Sequence, residues 1–133
     1  MIVGIGCDIA KVSRFAKWVE NDDMIHRFFA DCERVSPCTH LQRKCEFYAS
    51  RFAAKEAFSK ALGTGLVGFE LKDVYIETGE SGKPEMKVTG NAENVLKRCC
   101  GDSCRIHVSL SHEKEYAMAF VVIEQNKKYK LGG

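Results

Sequence analysis

No run of about 20 consecutive apolar residues, the length a membrane-spanning helix requires, occurs in the chain. The start of the sequence lacks a charged stretch followed by an apolar segment and a small-residue cleavage site, the marks of a secretory signal. Both absences predict a cytoplasmic protein with no membrane partner. An excess of one charge is missing too. Twenty Lys and Arg against 18 Asp and Glu leave a net charge of +2, too little to expect nucleic acid as the main ligand. There is no internal repeat, linker or low-complexity stretch. The C-x2-C spacing of most zinc modules is also absent. In a reducing compartment the seven cysteines therefore read as free thiols, buried and inert. A zinc site around Cys100, Cys104 and His107 is the weaker alternative.

What is present is the material for one core. A chain of 133 residues, 45% apolar and 29% charged, matches a single globular domain. We place that domain at residues 1–124 and expect residues 125–133 to be a frayed basic tail with Lys127, Lys128 and Lys130.

Ile2 to Ile9 is apolar apart from Gly4, Gly6 and Asp8 and predicts a buried strand. Ser13 is a candidate cap for a helix with Phe15, Ala16, Trp18 and Val19 at helical spacing. A second short helix is expected over Asp22 to Ala30, then a loop from Asp31 to Thr39. Leu41 to Leu62 contains no Gly or Pro and carries the longest helical signal, ending at Gly63-Thr64-Gly65. Strands follow at Leu71 to Thr78 and Glu85 to Thr89, joined by a turn at Gly79 to Pro84. A helix from Asn91 to Cys100 and strands at Arg105 to Ser111 and Tyr116 to Glu124 complete the chain. The order predicts an α+β domain, a largely antiparallel sheet with a long central helix and shorter helices packed on it.

Polar groups in apolar surroundings are the candidates for chemistry. Asp8 ends the first strand, where an aspartate commonly just caps a turn. Glu56 and Lys60 are four apart on the long helix, the order of a surface ion pair worth about 0.3–0.5 kcal/mol. His112 follows the Val108 to Ser111 strand, as an ordinary turn residue would. The setting of Glu56 argues against the bland reading. Phe52, Ala53, Ala54, Ala57, Phe58 and Ala61 make its helix apolar nearly all round, and such a helix is buried. A buried carboxylate needs a partner. Mg2+ suits Asp8 with Glu56, and magnesium takes one or two carboxylates plus substrate phosphates. Lys60 can then reach the same phosphates as a point charge, with Arg51 and Lys55 adding positive charge to the helix. Gly4-x-Gly6 lies inside its strand and lacks the third glycine of a dinucleotide loop. Gly79 to Lys83 lacks the following helix of a phosphate loop and reads as a β-turn.

At these residues the chain resembles the holo-acyl-carrier-protein synthases, the small class of 4′-phosphopantetheinyl transferases. Gly4-Ile5-Gly6-Cys7-Asp8-Ile9 with Arg14 is similar to the family's opening segment, and Arg51 to Ala61 to its central helix. Gly82-Lys83-Pro84 and Ser109-Leu110-Ser111-His112 are similar to two later signatures. The resemblance runs from Ile2 to Glu124; the cysteines, the stretch from Cys32 to Cys45 and the basic tail depart from it. It implies transfer of the phosphopantetheine of coenzyme A to a serine of an acyl carrier protein, with Mg2+ on Asp8 and Glu56. Glu56 and Lys60 would act in catalysis, and His112, Lys44, Arg51 and Lys60 would contact the coenzyme. It also implies a homotrimer with sites between subunits. Carrier proteins are acidic, so Arg14, Lys11 and Lys17 form a candidate docking edge. The same residues would also suit a Mg2+-dependent phosphohydrolase, and a catalytically silent binding module for coenzyme A or a carrier protein is the other alternative.

Overall fold

The computed structural model describes residues 1–65 and 67–126. Strand β1 spans Ile2–Lys11 and runs through a 3₁₀ turn, Val12–Phe15, into the short helices α1, Ala16–Val19, and α2, Asp22–Phe28. The long helix α3 covers Leu41–Leu62. Strands β2, Val74–Thr78, and β3, Pro84–Val88, precede helix α4, Gly90–Cys100, and strands β4, Cys104–His112, and β5, Tyr116–Gln125, follow it.

The α+β class and the antiparallel pairing agree with expectation, but the strands divide into two sheets. One has three strands in the order β1-β5-β4 and the other is the β2-β3 hairpin. The edges of β3 and β4 approach across a cleft of about 360 Å³ lined by Lys83, Lys87 and Arg105 among others. Glu85, paired with Lys87 at 3.3 Å, lines the same cleft.

α3 organises the molecule. Cys45, Tyr48, Ala49, Phe52, Ala53, Ala54, Ala57, Phe58, Ala61 and Leu62 are all buried along it, as a helix apolar nearly all round requires. Its end is set by Gly63, whose φ of 79° is the left-handed conformation that glycine adopts without strain. Ser13 does not cap the first helix, because β1 continues into a 3₁₀ turn that Lys11 precedes without a side-chain cap. Helix α4 starts at Gly90, one residue before the expected Asn91, with Thr89 preceding it. Leu71–Asp73 forms a 3₁₀ turn in place of the first part of the expected strand. Gln125, expected to begin the tail, is the last residue of β5 and accepts from the Met1 amine. The basic tail residues lie outside the described residues.

Gly4 and Gly6 have a packing role. A Cβ on Gly4 would run into the backbone carbonyl of Ala61, and one on Gly6 into that of Ala57. Strand and helix backbones therefore touch at these two glycines, with small alanines opposite. Strand periodicity puts Asp8 on the same face, turned to α3. The opposite face of β1 and β5 is apolar and open, with Ile5 64%, Ile9 56% and Phe120 47% exposed, while β4 adds the polar His107, Ser109 and Ser111 beside it. Cross-strand pairs Ile5↔Val122, Cys7↔Phe120 and Ile9↔Met118 make that face continuous.

Candidate active site

The contact between β1 and α3 brings the central polar groups together. Lys60 Nζ donates to Asp8 Oδ1 at 2.9 Å and to the Cys7 carbonyl at 3.2 Å. The expected helix-surface pair of Glu56 with Lys60 is thus replaced by a tie across two elements, because the glycines of β1 let Asp8 approach the helix. The hydrogen bond and charge of Asp8 push the Lys60 ammonium pKa up, so it stays charged. Burial raises the pKa of Glu56, and the negative charge of Asp8 raises it further; Lys60 and Arg14 act the other way.

A half-buried carboxylate whose ionisation a neighbouring negative charge disfavours is a setting that a cation relieves. Hard oxygen donors suit magnesium, and two of them leave positions for waters and phosphates. Asp8 and Glu56 therefore fit this ion by donor chemistry. Among the described residues no group of three or more His, Cys, Asp and Glu could hold a metal. Around the alternative zinc site, Cys104 Sγ instead donates to the carbonyl of Cys100 at 3.2 Å and His107 pairs with Glu124 at 3.2 Å.

The remaining basic groups occupy separate places. His112 and Arg51 share a cleft of about 300 Å³ with Arg43, Glu46, Phe47 and Ser50. Glu46 lies 3.7 Å from His112 Nδ1. The Arg51 guanidinium sits 4.0 Å from the centre of the Phe47 ring, and burial lowers its pKa. Lys44 lines a different cleft, about 370 Å³, beside Tyr48, Arg34 and Val35. It is seven positions before Arg51 and so about 10 Å along the same side of the helix. Lys44 and Lys60 therefore do not join His112 and Arg51 in one cleft.

Arg14 lies over the rings of Trp18 and Phe52, 5.5 and 5.2 Å from their centres, and its charge is felt at Glu56. Lys11 and Lys17 are exposed. Lys11 lines a small cleft with Gln42, Lys114 and Tyr116.

Two expectations need correction. Lys55 adds no charge near the carboxylates, because it is fully buried against Glu33, 2.5 Å away. Glu33 was hidden in a polar stretch that reads as a loop, and the only signal for it was a lysine on an apolar helix needing a counter-ion. The cysteines are all free, but only Cys45 and Cys100 are buried; Cys104 is partly covered, and Cys7, Cys32, Cys38 and Cys99 are exposed. Arg43 and Glu46, beside His112, also went unnoticed, since charged residues early in a helix look like a solvated face.

Comparison with known proteins identifies the family. Residues 4–121 match the model of the 4′-phosphopantetheinyl transferase superfamily. A holo-[acyl-carrier-protein] synthase of Treponema denticola is 45% identical over 124 residues, covering 93% of this chain and 99% of the relative. One of Halothermothrix orenii is 40% identical over 127 residues, covering 94% and 99%. Among solved structures, the holo-(acyl-carrier-protein) synthase of Bacillus anthracis, determined with CoA (3′,5′-ADP), is 37% identical with a TM-score of 0.76 and coverage of 95% and 99%. The fold and the sequence thus lead to one assignment: this chain belongs to the 4′-phosphopantetheinyl transferase superfamily, alongside its holo-[acyl-carrier-protein] synthases.

Proposed function

We propose that this protein transfers the 4′-phosphopantetheine group of coenzyme A to a serine of an apo acyl carrier protein, in the cytoplasm, as a step that serves fatty acid synthesis. The observation that carries the reading is the meeting of Asp8 and Lys60 across β1 and α3, one helical turn from Glu56. The relatives at 40% and 45% identity bear the name of this activity.

Asp8 and Glu56 would hold magnesium, which when bound would neutralise charge on the diphosphate of the coenzyme. The serine oxygen attacks the β-phosphorus, the bond from that phosphorus to the bridging oxygen breaks, and adenosine 3′,5′-bisphosphate departs with the oxygen. Lys60 offsets the charge that grows on the leaving phosphate. Glu56 would accept the serine proton, itself or through a water that it orients. Arg51 and His112 line one cleft suited to anionic groups of the coenzyme, and Lys44 extends the basic strip along α3. Positioning of this kind supplies most of the rate in phosphoryl transfer.

Incubation with coenzyme A, magnesium and an apo carrier protein tests the reading. A gain in carrier mass equal to one phosphopantetheine supports transfer. Cleavage of coenzyme A without that gain means a hydrolase, and neither outcome means a binding module.

Arg14 is the docking group best placed for an acidic carrier, because it borders Glu56 on an exposed edge. Reversing its charge with Arg14→Glu should raise KM for the carrier about tenfold or more and leave KM for coenzyme A nearly unchanged, the pattern of lost electrostatic steering. Equal effects on both substrates would refute a docking role.

The open apolar face at Ile5, Ile9 and Phe120 supports assembly into a homotrimer. A continuous apolar surface of this kind marks an interface in soluble proteins. Light scattering should report about three times the chain mass of 14.9 kDa. A fully active monomer would rule the assembly out.

A further inference from the structure

Lys55 directly precedes Glu56 in the chain but belongs to a different network. Its ammonium donates to Glu33 Oε1 at 2.5 Å, to the carbonyl of Leu71 at 3.1 Å and to the carbonyl of Val74. Glu33 Oε1 accepts the Ala30 amide at 3.2 Å, and Oε2 accepts the Ile76 amide at 3.1 Å. The side chains are 1% and 0% exposed. One ion pair thus fastens the segment around residue 33, the turn before β2, β2 itself and α3.

Such a pair is a weak means of stabilising a core. Desolvating two charges costs so much that apolar side chains of equal size often do as well or better. What the pair provides is a fixed geometry, since every bond it makes is directional. The surroundings indicate what that geometry serves. A cleft of about 420 Å³ lies beside it, lined by Arg34 and Arg51, by Cys32, Phe47 and Ile76, and by the acidic Glu77 and Glu85 among others. Cys32 and Arg34 flank Glu33 in the chain, Ile76 is held by Glu33 through its amide, and Arg51 is one turn before Lys55 on α3. These walls are therefore attached to the pair directly or through one residue, whereas Gly79 and Glu85 on the hairpin complete the cleft without contact to it. Within the cleft wall, the buried Nε of Arg51 has no hydrogen-bond partner among the described residues. Nε itself is closed to the surface, so an anionic ligand in the cleft would meet the outer guanidinium nitrogens, for which an anion is the matching partner.

We propose that the Glu33–Lys55 pair is a positioning device for phosphate recognition: it holds the segment around residue 33 and β2 in register with Arg51, so that the cleft between them receives phosphate groups of the coenzyme. The pair touches no substrate and acts through Arg51 and the cleft walls. The proposal rests on the coenzyme A reading above and goes beyond it in assigning two residues outside the metal and catalytic groups to coenzyme affinity.

The test is the paired substitution Glu33→Gln with Lys55→Met, which removes both charges and nearly keeps the volume. The glutamine oxygen can still accept the Ile76 amide, and its NH2 can donate to a carbonyl that Lys55 releases. KM for coenzyme A should rise about tenfold to 100-fold, the scale for misplacing a binding group by an ångström, while kcat at saturating coenzyme stays within about twofold. Calorimetric titration of coenzyme A into the protein should give a parallel rise in Kd, with no turnover involved. Unchanged Kd and KM, even with a lower melting temperature, would reduce the pair to a structural role and overturn the proposal. A fall in kcat with KM intact would overturn it too, by placing the effect on the chemical step. A second measurement needs no variant: coenzyme A bound to the unaltered protein should slow hydrogen exchange of the Ala30 and Ile76 amides, and unaltered exchange there would count against the proposal. If the unaltered protein binds no coenzyme A, the functional reading itself fails; if it binds and the paired variant binds equally well, only the positioning role fails.

Discussion

Replacing Lys60 with alanine should lower turnover about 10²–10³-fold, the usual consequence of removing one charge-stabilising donor from a reaction that develops negative charge. The fold should hardly notice. The Lys60 side chain is 56% exposed, and exposed ion pairs contribute under about 1 kcal/mol. A large kinetic loss with an unchanged melting temperature is therefore the expected signature. Turnover equal to the unaltered protein would leave Lys60 as a surface partner of Asp8 and nothing more. Glu56→Gln should behave differently. It removes a charge from the magnesium ligands, so part of its activity loss should shrink as magnesium is raised. The part that saturating magnesium does not restore measures the role of Glu56 as a base. Initial rates over a magnesium titration separate the two. If magnesium restores activity fully, the proton goes elsewhere.

Gly6→Ala should be among the most damaging single substitutions in the chain, although it adds one methyl group. The new Cβ would collide with the carbonyl oxygen of Ala57, which is backbone. No flexible side chain is available to move aside, so β1 and α3 must separate. Overpacking of a core costs about 1–3 kcal/mol and sometimes more, and a backbone collision belongs at the upper end. Asp8 would move away from Glu56 with the strand. Urea unfolding should report the lost stability, and the magnesium needed for half-maximal activity should rise. Gly79→Ala is the control, since a Cβ there meets nothing within 4 Å. Equal stability of the two variants would show that the close approach of strand and helix does not matter.

Much of this was legible in the residues. The span of α3 was readable because nothing in it breaks a helix and Gly63 ends it. The carboxylate of Glu56 stood out because its neighbours are apolar around the whole circumference, so a charge there needed a reason. Neighbouring strands were readable as antiparallel because short turns join them. The division into two sheets was not, since it depends on which strand edges meet in space.

The glycines of β1 show where the sequence stops. Gly4-x-Gly6 can be excluded as a nucleotide loop from the chain alone, but its use depends on what lies opposite, and only the packing brings Ala57 and Ala61 there. The partner of Lys60 was likewise undetermined. Spacing along the helix offered Glu56, four residues away, whereas the tertiary structure chose Asp8, more than fifty residues away. Helical periodicity describes neighbours on one element and is silent about the next. Glu33 and Lys55 mark the same boundary. A lysine on a buried helix demands a counter-ion, so the need was written in the sequence. The identity of that counter-ion was decided by the chain path, which folds a polar, loop-like segment over α3 and seals its one glutamate inside.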